Sequence, residues 1–212
     1  MKDLKPQASK HGSSVNSLMR KIKTAVLISG RGSNMVSLVK ASQQEKYPAQ
    51  IDLVISNIPD APGLQKARDM GVMAMTIDHK NFPSRQKFEV ALDAVLNDAQ
   101  IELICCAGFM RVLTPWFVSR WERRLINIHP SLLPKYKGLN THQRALEAGD
   151  KDHGCTVHYV TAELDAGEPI LQQSINISPN DTVETLASRL LPYELSLYPK
   201  ALAKVAKQLS KP

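Results

Sequence analysis

Short runs of apolar and β-branched residues alternate with longer amphipathic stretches from position 24 onward. The first five runs are almost continuously apolar, which is typical of parallel strands that are covered on both faces. The last two runs alternate between apolar and polar residues and indicate antiparallel strands. The pattern predicts a single-domain α/β fold with a doubly wound, mostly parallel sheet flanked by helices. The predicted strands are 24–28, 52–56, 73–77, 103–107, 125–128, 156–160 and 170–177.

The amphipathic stretches between these runs predict helices over 35–44, 63–70, 84–99, 115–121, 142–148 and 182–208. Pro192 and Pro199 lie inside the last stretch, and we expect them to break or kink that helix because proline lacks the backbone N–H. In a sheet of this class, ligands bind beyond the carboxyl ends of the strands. A functional site is therefore expected in the loops that follow the strands.

The first 22 residues (1–22) are polar and without periodicity, which predicts a disordered basic extension. Residues 23–209 are predicted to form the folded domain, since 212 residues that are 43% hydrophobic suffice for one well-packed core. No apolar run reaches the length of a membrane span, and the N-terminus lacks the apolar segment of a signal peptide. Three cysteines, two of them adjacent, favour a reducing compartment over disulfides. We therefore expect a cytoplasmic protein without a membrane partner.

The net charge of +7 is concentrated in the two tails. Residues 1–23 carry a net charge of +5 and residues 200–212 a net charge of +4, which leaves −2 for residues 24–199. A folded basic face for a polyanion is therefore not expected, and this excludes a nucleic-acid partner. The expected partners are small molecules, and monomer and homodimer both stay open.

A glycine-rich segment, Ser29–Asn34, follows the first predicted strand and opens the first predicted helix. Glycines let the backbone approach a ligand, and the free N–H groups at a helix start bind anions. The segment matches a dinucleotide fingerprint only in part, because Met35 replaces the third glycine and Asn57 replaces the acid that would bind a ribose. A phosphate monoester therefore fits better than NAD. The alternative is a tight turn with Ser33 as the helix N-cap.

Asn127 and His129 lie two residues apart at the end of the fifth predicted strand, before Pro130. Residues two apart on a strand point to the same side. An amide that stabilises an oxyanion, beside an imidazole that moves protons, suits an acyl-type transfer. Asp165 lies in a loop after a later strand and is a candidate for the carboxylate that orients such a histidine. The alternatives are a core histidine satisfied by the backbone and an ordinary turn aspartate before Gly167.

Signals for a metal or a nucleophile are weak. His153, Cys155 and His158 lie within six residues, but on a strand His158 points away from the other two, and no CxxC partner occurs. We expect no metal site. Cys105 and Cys106 lie in a predicted buried strand, where thiols are usually inert, and a Gly-x-Ser-x-Gly motif is absent.

Five ordered motifs make the chain resemble the folate-dependent phosphoribosylglycinamide formyltransferases from about Thr24 to Pro199. The motifs occupy 27–34, 107–113, 127–138, 153–158 and 164–167. The resemblance implies the formyltransferase fold, with a Rossmann-like N-terminal half. It also implies transfer of the formyl group of 10-formyltetrahydrofolate to the amine of glycinamide ribonucleotide, in de novo purine biosynthesis. Neither a metal ion nor a covalent enzyme intermediate is implied.

The same resemblance implies roles for individual residues. The implied catalytic residues are Asn127, His129 and Asp165, of which the amide and the protonated imidazole stabilise an oxyanion while the carboxylate holds the imidazole. The implied contacts of glycinamide ribonucleotide are Gly32, Ser33, Asn34 and Glu194. The implied folate site consists of Arg85, Met110, Arg111, Val112, Leu113, Asn127, Thr161, Ala162, Glu163, Leu164 and Asp165. The chain departs from the family at Arg31 and at Leu191-Pro192, where relatives commonly carry a small polar and a polar residue, respectively.

Three other interpretations stay open. A methionyl-tRNA formyltransferase would share Ser131–Pro134, but we would expect a further basic domain and a different run of residues after Pro134. A formyltetrahydrofolate hydrolase would be expected to carry an N-terminal regulatory domain, for which 23 residues leave no room. A nucleotide-binding module without catalysis would explain the glycine-rich segment but would leave Asn127, His129 and Asp165 without a task.

Overall fold

The computed structural model of the chain describes residues 20–211, in which seven strands form one sheet. The strands are β1 (Ile22–Ile28), β2 (Ala49–Ser56), β3 (Met73–Thr76), β4 (Leu103–Cys106), β5 (Leu125–His129), β6 (Asp152–Tyr159) and β7 (Pro169–Asn176). Their order across the sheet is β3-β2-β1-β4-β5-β6-β7. The first five strands run parallel, and β6 and β7 pair antiparallel. The predicted fold class is confirmed.

The helices lie close to the predicted positions. They are α1 (Ser33–Ser42), α2 (Pro62–Asp69), α3 (Arg85–Asp98), α4 (Pro115–Arg120), α5 (Thr141–Glu147) and α6 (Val183–Leu209), with a short 3₁₀ turn at His79–Asn81 that was not predicted. Four strands begin earlier than predicted, and the difference is largest for β2, which begins at Ala49, and β6, which begins at Asp152. Their first residues are partly polar, so pairing with the neighbouring strand, rather than hydrophobic pattern, extends them.

Both faces of the sheet are covered, and β1 shows why its sequence is almost continuously apolar. Val26 and Ile28 pack with residues of α1, α2 and α6 on one face, whereas Ala25 and Leu27 pack with residues of α3 and α4 on the other. All four side chains are fully buried. Since successive side chains of a strand point to opposite faces, a central strand of this sheet needs apolar residues at successive positions.

We expected Pro192 and Pro199 to break or kink the last helix; a break is wrong, because α6 continues through both prolines, and a kink stays a prediction. A proline inside a helix costs about 3 kcal/mol or more, so tertiary contacts must hold this helix together. The apolar stripe of α6 packs into the core. In addition, the buried Tyr198 hydroxyl lies 2.9 Å from the carbonyl oxygen of Cys106 and 3.1 Å from that of Ile126. These contacts fasten α6 to β4 and β5.

The folded domain begins slightly earlier than predicted. Ile22, which the sequence prediction places in the extension, is fully buried and opens β1. Arg20 forms an ion pair with Glu102 at 2.6 Å. The last three positions of the predicted extension therefore belong to the domain, whereas residues 1–19 lie outside the described residues and their disorder stays a prediction. Among residues 20–211, no helix is long and apolar enough to cross a membrane.

The strand order reverses between β1 and β4, which are neighbours in the sheet although β2 and β3 separate them in the chain. Such a reversal opens a crevice at the carboxyl ends of the strands, where ligands bind in folds of this class. The loops that follow the two strands are in contact, since the Ser29 N–H donates to the carbonyl of Gly108 at 3.1 Å. β5 lies beside β4, so its carboxyl end joins the same edge.

Candidate active site

The conformation of the glycine-rich segment after β1 is set by backbone contacts rather than by side chains. Gly32 precedes α1 with a left-handed φ of 70°, and no side chain of the described residues caps this helix. The N-cap is thus Gly32 and not Ser33. A Cβ on Gly32 would lie 3.0 Å from the Cα atom of Gly63, and the Gly63 N–H donates to the carbonyl of Gly30 at 3.0 Å. Backbone therefore packs on backbone here, and the start of α1 is left open to a ligand.

A cavity of about 210 Å³ adjoins this segment. It is lined by Gly30, Arg31, Gly32, Ser33, Asn34, Ala107, Gly108, Leu191 and Glu194. The Asn34 amide donates to Glu194 at 2.9 Å, and Oδ1 of Asn34 is buried without a hydrogen-bond partner among the described residues. Burial raises the pKa of Glu194, which the Asn34 hydrogen bond opposes. The residues that were expected to hold a sugar phosphate are therefore brought together in one cavity.

Glu194 lines this cavity even though the preceding Leu191 and Pro192 depart from the family pattern. Leu191 lines the cavity itself and makes that part of the wall apolar. Arg31 is exposed at the rim of the cavity, so it adds a positive charge beside the open start of α1.

The second part of the site is a cluster of polar side chains where the last three residues of β5 pair with β6. His129 Nδ1 lies 3.4 Å from Oδ2 of Asp165, and both side chains are less than a tenth exposed. Asn127 and His129, on β5, pair in register with His158 and Thr156 of β6. The predicted proximity of Asp165 to His129 is thus what the structure shows, although 3.4 Å is longer than a close hydrogen bond.

Both ring nitrogens of His129 face oxygen atoms that only accept. Nε2 donates to the backbone carbonyl of Tyr136 at 2.9 Å, and Nδ1 faces the Asp165 carboxylate. Each of the two oxygens can therefore accept an N–H from the ring. The Tyr136 carbonyl was not anticipated from the sequence, because a backbone atom leaves no trace in residue identity.

His158 is a further member of the cluster that the sequence prediction considered only as a metal ligand. Its Nε2 lies 3.3 Å from the amide nitrogen of Asn127 and 3.6 Å from Oδ1 of Asp165, and its Nδ1 lies 2.9 Å from the carbonyl of Tyr159. Burial lowers the pKa of His158, which the Tyr159 carbonyl and the Asp165 carboxylate oppose. In the neutral ring, an N–H at Nδ1 leaves Nε2 free to accept from the Asn127 amide.

His153 is not part of this cluster. Its Nε2 lies 2.9 Å from Nδ1 of His142 on α5. Within residues 20–211, no three His, Cys, Asp or Glu side chains come together in a group that could hold a metal ion.

Asp165 is held by the loops around it. It has a left-handed φ of 48°, and its Oδ2 accepts the N–H of Gly138 at 2.9 Å. A Cβ on Gly167 would lie 1.7 Å from the carbonyl oxygen of Tyr159, so only glycine permits this loop to fold back on β6. The other residues of the loop that were assigned to folate are solvent-exposed: Thr161, Ala162, Glu163 and Leu164.

The loop after β4 carries most of the other residues assigned to folate. Met110 is 68% and Val112 49% exposed, whereas Leu113 is buried. The Arg111 guanidinium lies 5.8 Å from the ring centre of Phe88, and its Nε is buried without a partner among the residues described. Arg85 is exposed at the start of α3, and in residues 20–211 its side chain makes no hydrogen bond to the other assigned residues. Most of the residues assigned to folate are thus exposed on two separate loops, and no hydrogen bond connects Arg85 to them in the part of the chain that is described.

A doubly wound sheet, an open helix start and an amide–imidazole–carboxylate cluster are the features that group-transfer enzymes of this fold class require. The chain belongs to the formyl transferase family, whose family model matches residues 22–202. The resemblance that the five motifs indicate is thereby confirmed at the level of the family.

Two relatives illustrate the match, a bacterial enzyme and one part of a longer trifunctional protein. The phosphoribosylglycinamide formyltransferase of Haemophilus influenzae is 44% identical over 177 residues, which is 84% of either chain. The trifunctional purine biosynthetic protein adenosine-3 of Gallus gallus is 47% identical over 186 residues, but the chain spans only 18% of its length.

Solved structures agree with these relatives. The phosphoribosylglycinamide formyltransferase of Brucella melitensis superposes with a TM-score of 0.85 at 44% identity, over 88% of this chain and 96% of that one. The enzyme of the same name from Coxiella burnetii gives a TM-score of 0.84 at 46% identity, over 89% of each chain.

Proposed function

We propose that the chain transfers the formyl group of 10-formyltetrahydrofolate to the amine of glycinamide ribonucleotide, as a step of purine synthesis. The products are formylglycinamide ribonucleotide and tetrahydrofolate. The observation that carries this proposal is the cluster of Asn127, His129 and Asp165 on the same sheet edge as the open start of α1. The names of the relatives support the same substrates.

The sugar phosphate is assigned to the cavity beside Gly32. Its phosphate group fits the open start of α1, because free N–H groups and the helix dipole favour an anion there. Asn34 and Glu194 line the same cavity and are assigned to the glycinamide end. Folate is assigned to the loops Met110–Leu113 and Thr161–Asp165, together with Asn127 and Arg85.

The reaction needs an oxyanion to be stabilised. The substrate amine attacks the formyl carbon, and a tetrahedral intermediate forms with negative charge on the former carbonyl oxygen. Donors from Asn127 and protonated His129 stabilise this charge, and Asp165 favours the protonated ring. Collapse of the intermediate breaks the carbon–nitrogen bond to folate, and a proton from the attacking amine passes to the folate nitrogen.

This mechanism requires a change around His129. In the structure, Nε2 donates to the Tyr136 carbonyl, so the substrate oxygen has to replace that carbonyl as the partner of Nε2. Asn127 has a second amide N–H beyond the one directed at His158, and this N–H is available to the oxyanion.

A two-substrate assay tests the proposal. Absorbance is followed after addition of 10-formyltetrahydrofolate and glycinamide ribonucleotide together, and after addition of each alone. We expect turnover only with both. Turnover of the folate alone would indicate a hydrolase, and absence of turnover with both would contradict the proposal. Methionyl-tRNA as acceptor serves as the control for the nearest rival and should give no product.

A further inference from the structure

Ser29 lies between the two loops that the proposed function assigns to the two substrates. It directly follows β1 and is the first residue of the glycine-rich segment. Its backbone N–H donates to the carbonyl of Gly108 at 3.1 Å, and its hydroxyl oxygen accepts the N–H of Met110 at 2.8 Å. Ser29 thus belongs to the glycine-rich segment and is joined to the loop after β4 by two hydrogen bonds.

The Ser29 hydroxyl is itself held by Asn57. It donates to Oδ1 of Asn57 at 2.5 Å. Asn57 follows β2 and is 2% exposed, and its amide nitrogen lies 3.1 Å from Nδ1 of His79. In a dinucleotide-binding fold an acidic residue at this position binds a ribose, whereas here the amide fixes the direction of the serine hydroxyl. The proton of the hydroxyl is committed to Asn57, so its oxygen is left to accept from Met110.

The loop Gly108–Leu113 is held at its other end by a separate anchor. Glu89 of α3 is fully buried and accepts the N–H of Thr114 at 2.8 Å and also its hydroxyl. Between the two anchors the side chains of Met110 and Val112 project into solvent. The loop is thus fixed through its backbone at the ends and presents exposed groups in the middle.

We propose that Ser29, oriented by Asn57, is a positioning residue that sets the loop Gly108–Leu113 relative to the glycine-rich segment, and thereby aligns the folate with the sugar phosphate. The proposal rests on the proposed function, which assigns these two loops to the two substrates. Alignment matters because the attacking amine and the formyl carbon react efficiently only when they are held close and correctly oriented.

Replacement of Ser29 by alanine tests the proposal. We expect the dissociation constant of tetrahydrofolate to rise by up to about tenfold, which is the upper limit for the loss of one hydrogen bond. We expect kcat to fall as well, whereas KM for glycinamide ribonucleotide changes less than twofold. Ser29→Thr keeps the hydroxyl and should restore most of the folate affinity.

Thr24→Ala is the matched control. Thr24 lies on β1, is fully buried and donates its hydroxyl to the carbonyl of Ile22 at 3.0 Å, far along the strand from either loop. The substitution Thr24→Ala should lower the melting temperature without a change in tetrahydrofolate binding. Equal effects of Ser29→Ala and Thr24→Ala on that binding would overturn the proposal, as would equal weakening of both substrates by Ser29→Ala.

Amide hydrogen exchange gives a reading that does not depend on turnover. In Ser29→Ala the N–H of Met110 should exchange faster, while that of Thr114, which Glu89 holds, should not change. Should Ser29→Ala fail to fold, Asn57→Ala is expected to produce the same pattern. Unchanged exchange at Met110 would refute the positioning role even in an active enzyme. Inactivity of the wild-type chain with both substrates would instead refute the proposed function.

Discussion

The glycine-rich segment after β1 and the polar cluster at the ends of β5 and β6 are built by different means. The first depends on backbone geometry: Gly32 is in a left-handed conformation and the segment packs backbone to backbone on Gly63. The second depends on buried side chains, in which Asp165 lies between His129 and His158 at 3.4 and 3.6 Å.

Under the proposed function, this difference assigns binding to the first region and chemistry to the second. Backbone N–H groups are fixed before the ligand arrives and serve the ground state and the transition state alike, so their loss should raise KM. Ionisable side chains change protonation state and meet charge that develops only in the transition state, so their loss should lower kcat. The predictions below test this separation, from the largest expected effect to the smallest.

Asp165→Asn should have the largest effect. It keeps the shape of the side chain but removes the charge that favours protonated His129, and we expect kcat to fall on the order of 10²–10⁴-fold with little change in either KM. Steady-state kinetics, with melting measured on the same sample, provide the test. An amide at this position that left the protein stable and fully active would rule out the catalytic role.

Double substitution sharpens the same prediction. His129→Asn combined with Asp165→Asn should cost much less than the product of the two single effects, because residues that act as a unit are not additive. Multiplicative losses would show instead that the two residues act independently, despite the 3.4 Å between them.

Gly32→Val should act on binding. A β-branched residue at a φ of 70° is strained, and its Cβ would meet the backbone of Gly63. We expect KM for glycinamide ribonucleotide to rise roughly 10- to 100-fold, in line with 1–3 kcal/mol of local strain, while KM for the folate changes little. Gly71→Val is the control, because Gly71 also has a left-handed φ, of 76°, but it does not line the cavity, and no atom of the described residues lies within 4 Å of a Cβ placed there. Equal weakening of both substrates by Gly32→Val would mean that the segment is purely structural.

Arg31→Gln should have a smaller effect on the same cavity. Arg31 is exposed at its rim, and a solvated charge beside a phosphate contributes only about 1 kcal/mol or less. KM for glycinamide ribonucleotide should therefore rise about threefold, and its dependence on salt should weaken. Lys40→Gln, on the exposed side of α1, should leave both unchanged. A wild-type KM that does not vary with salt would show that the charge of Arg31 does not contribute to binding.

Acid should lower the stability of the fold through buried histidines in the C-terminal half. Burial lowers the pKa of His153 to about 4, and burial also lowers the pKa values of His142 and His158. In the unfolded chain a histidine takes up a proton near its ordinary pKa, so between about pH 6.5 and pH 4 the unfolded state binds more protons, and stability falls as the pH falls.

We expect the melting temperature to drop by about 5 °C between pH 7 and pH 5. His153→Gln should flatten this dependence, whereas His79→Gln, in the N-terminal half, should keep it. Equal pH dependence in all three proteins would show that His153 does not contribute.

Sequence pattern was sufficient for most of the fold. The continuous apolar run of β1 and the alternating residues of β7 placed both strands, and the two-residue spacing of Asn127 and His129 placed their side chains in one cluster. Pro192 and Pro199 misled, because local propensity does not record the core contacts of α6.

The rest of the site depends on contacts between distant segments. His158 meets Asn127 only through the antiparallel register of β5 and β6, which no local pattern specifies. The Tyr136 carbonyl that receives the His129 N–H is a backbone atom, so residue type does not reveal it. Ser29 likewise acquires its partners from loops that lie far away in the sequence.

The hydrogen bond between Asn34 and Glu194 joins residues that are 160 positions apart. One wall of the cavity therefore comes from the first helix and the other from the last, so the cavity closes only after α6 has docked. Contacts between such distant segments form slowly, because the intervening chain must be ordered first. In a refolding experiment, binding of the sugar phosphate should consequently be among the last signals to recover, later than helix content, and it can serve as a marker of completed folding.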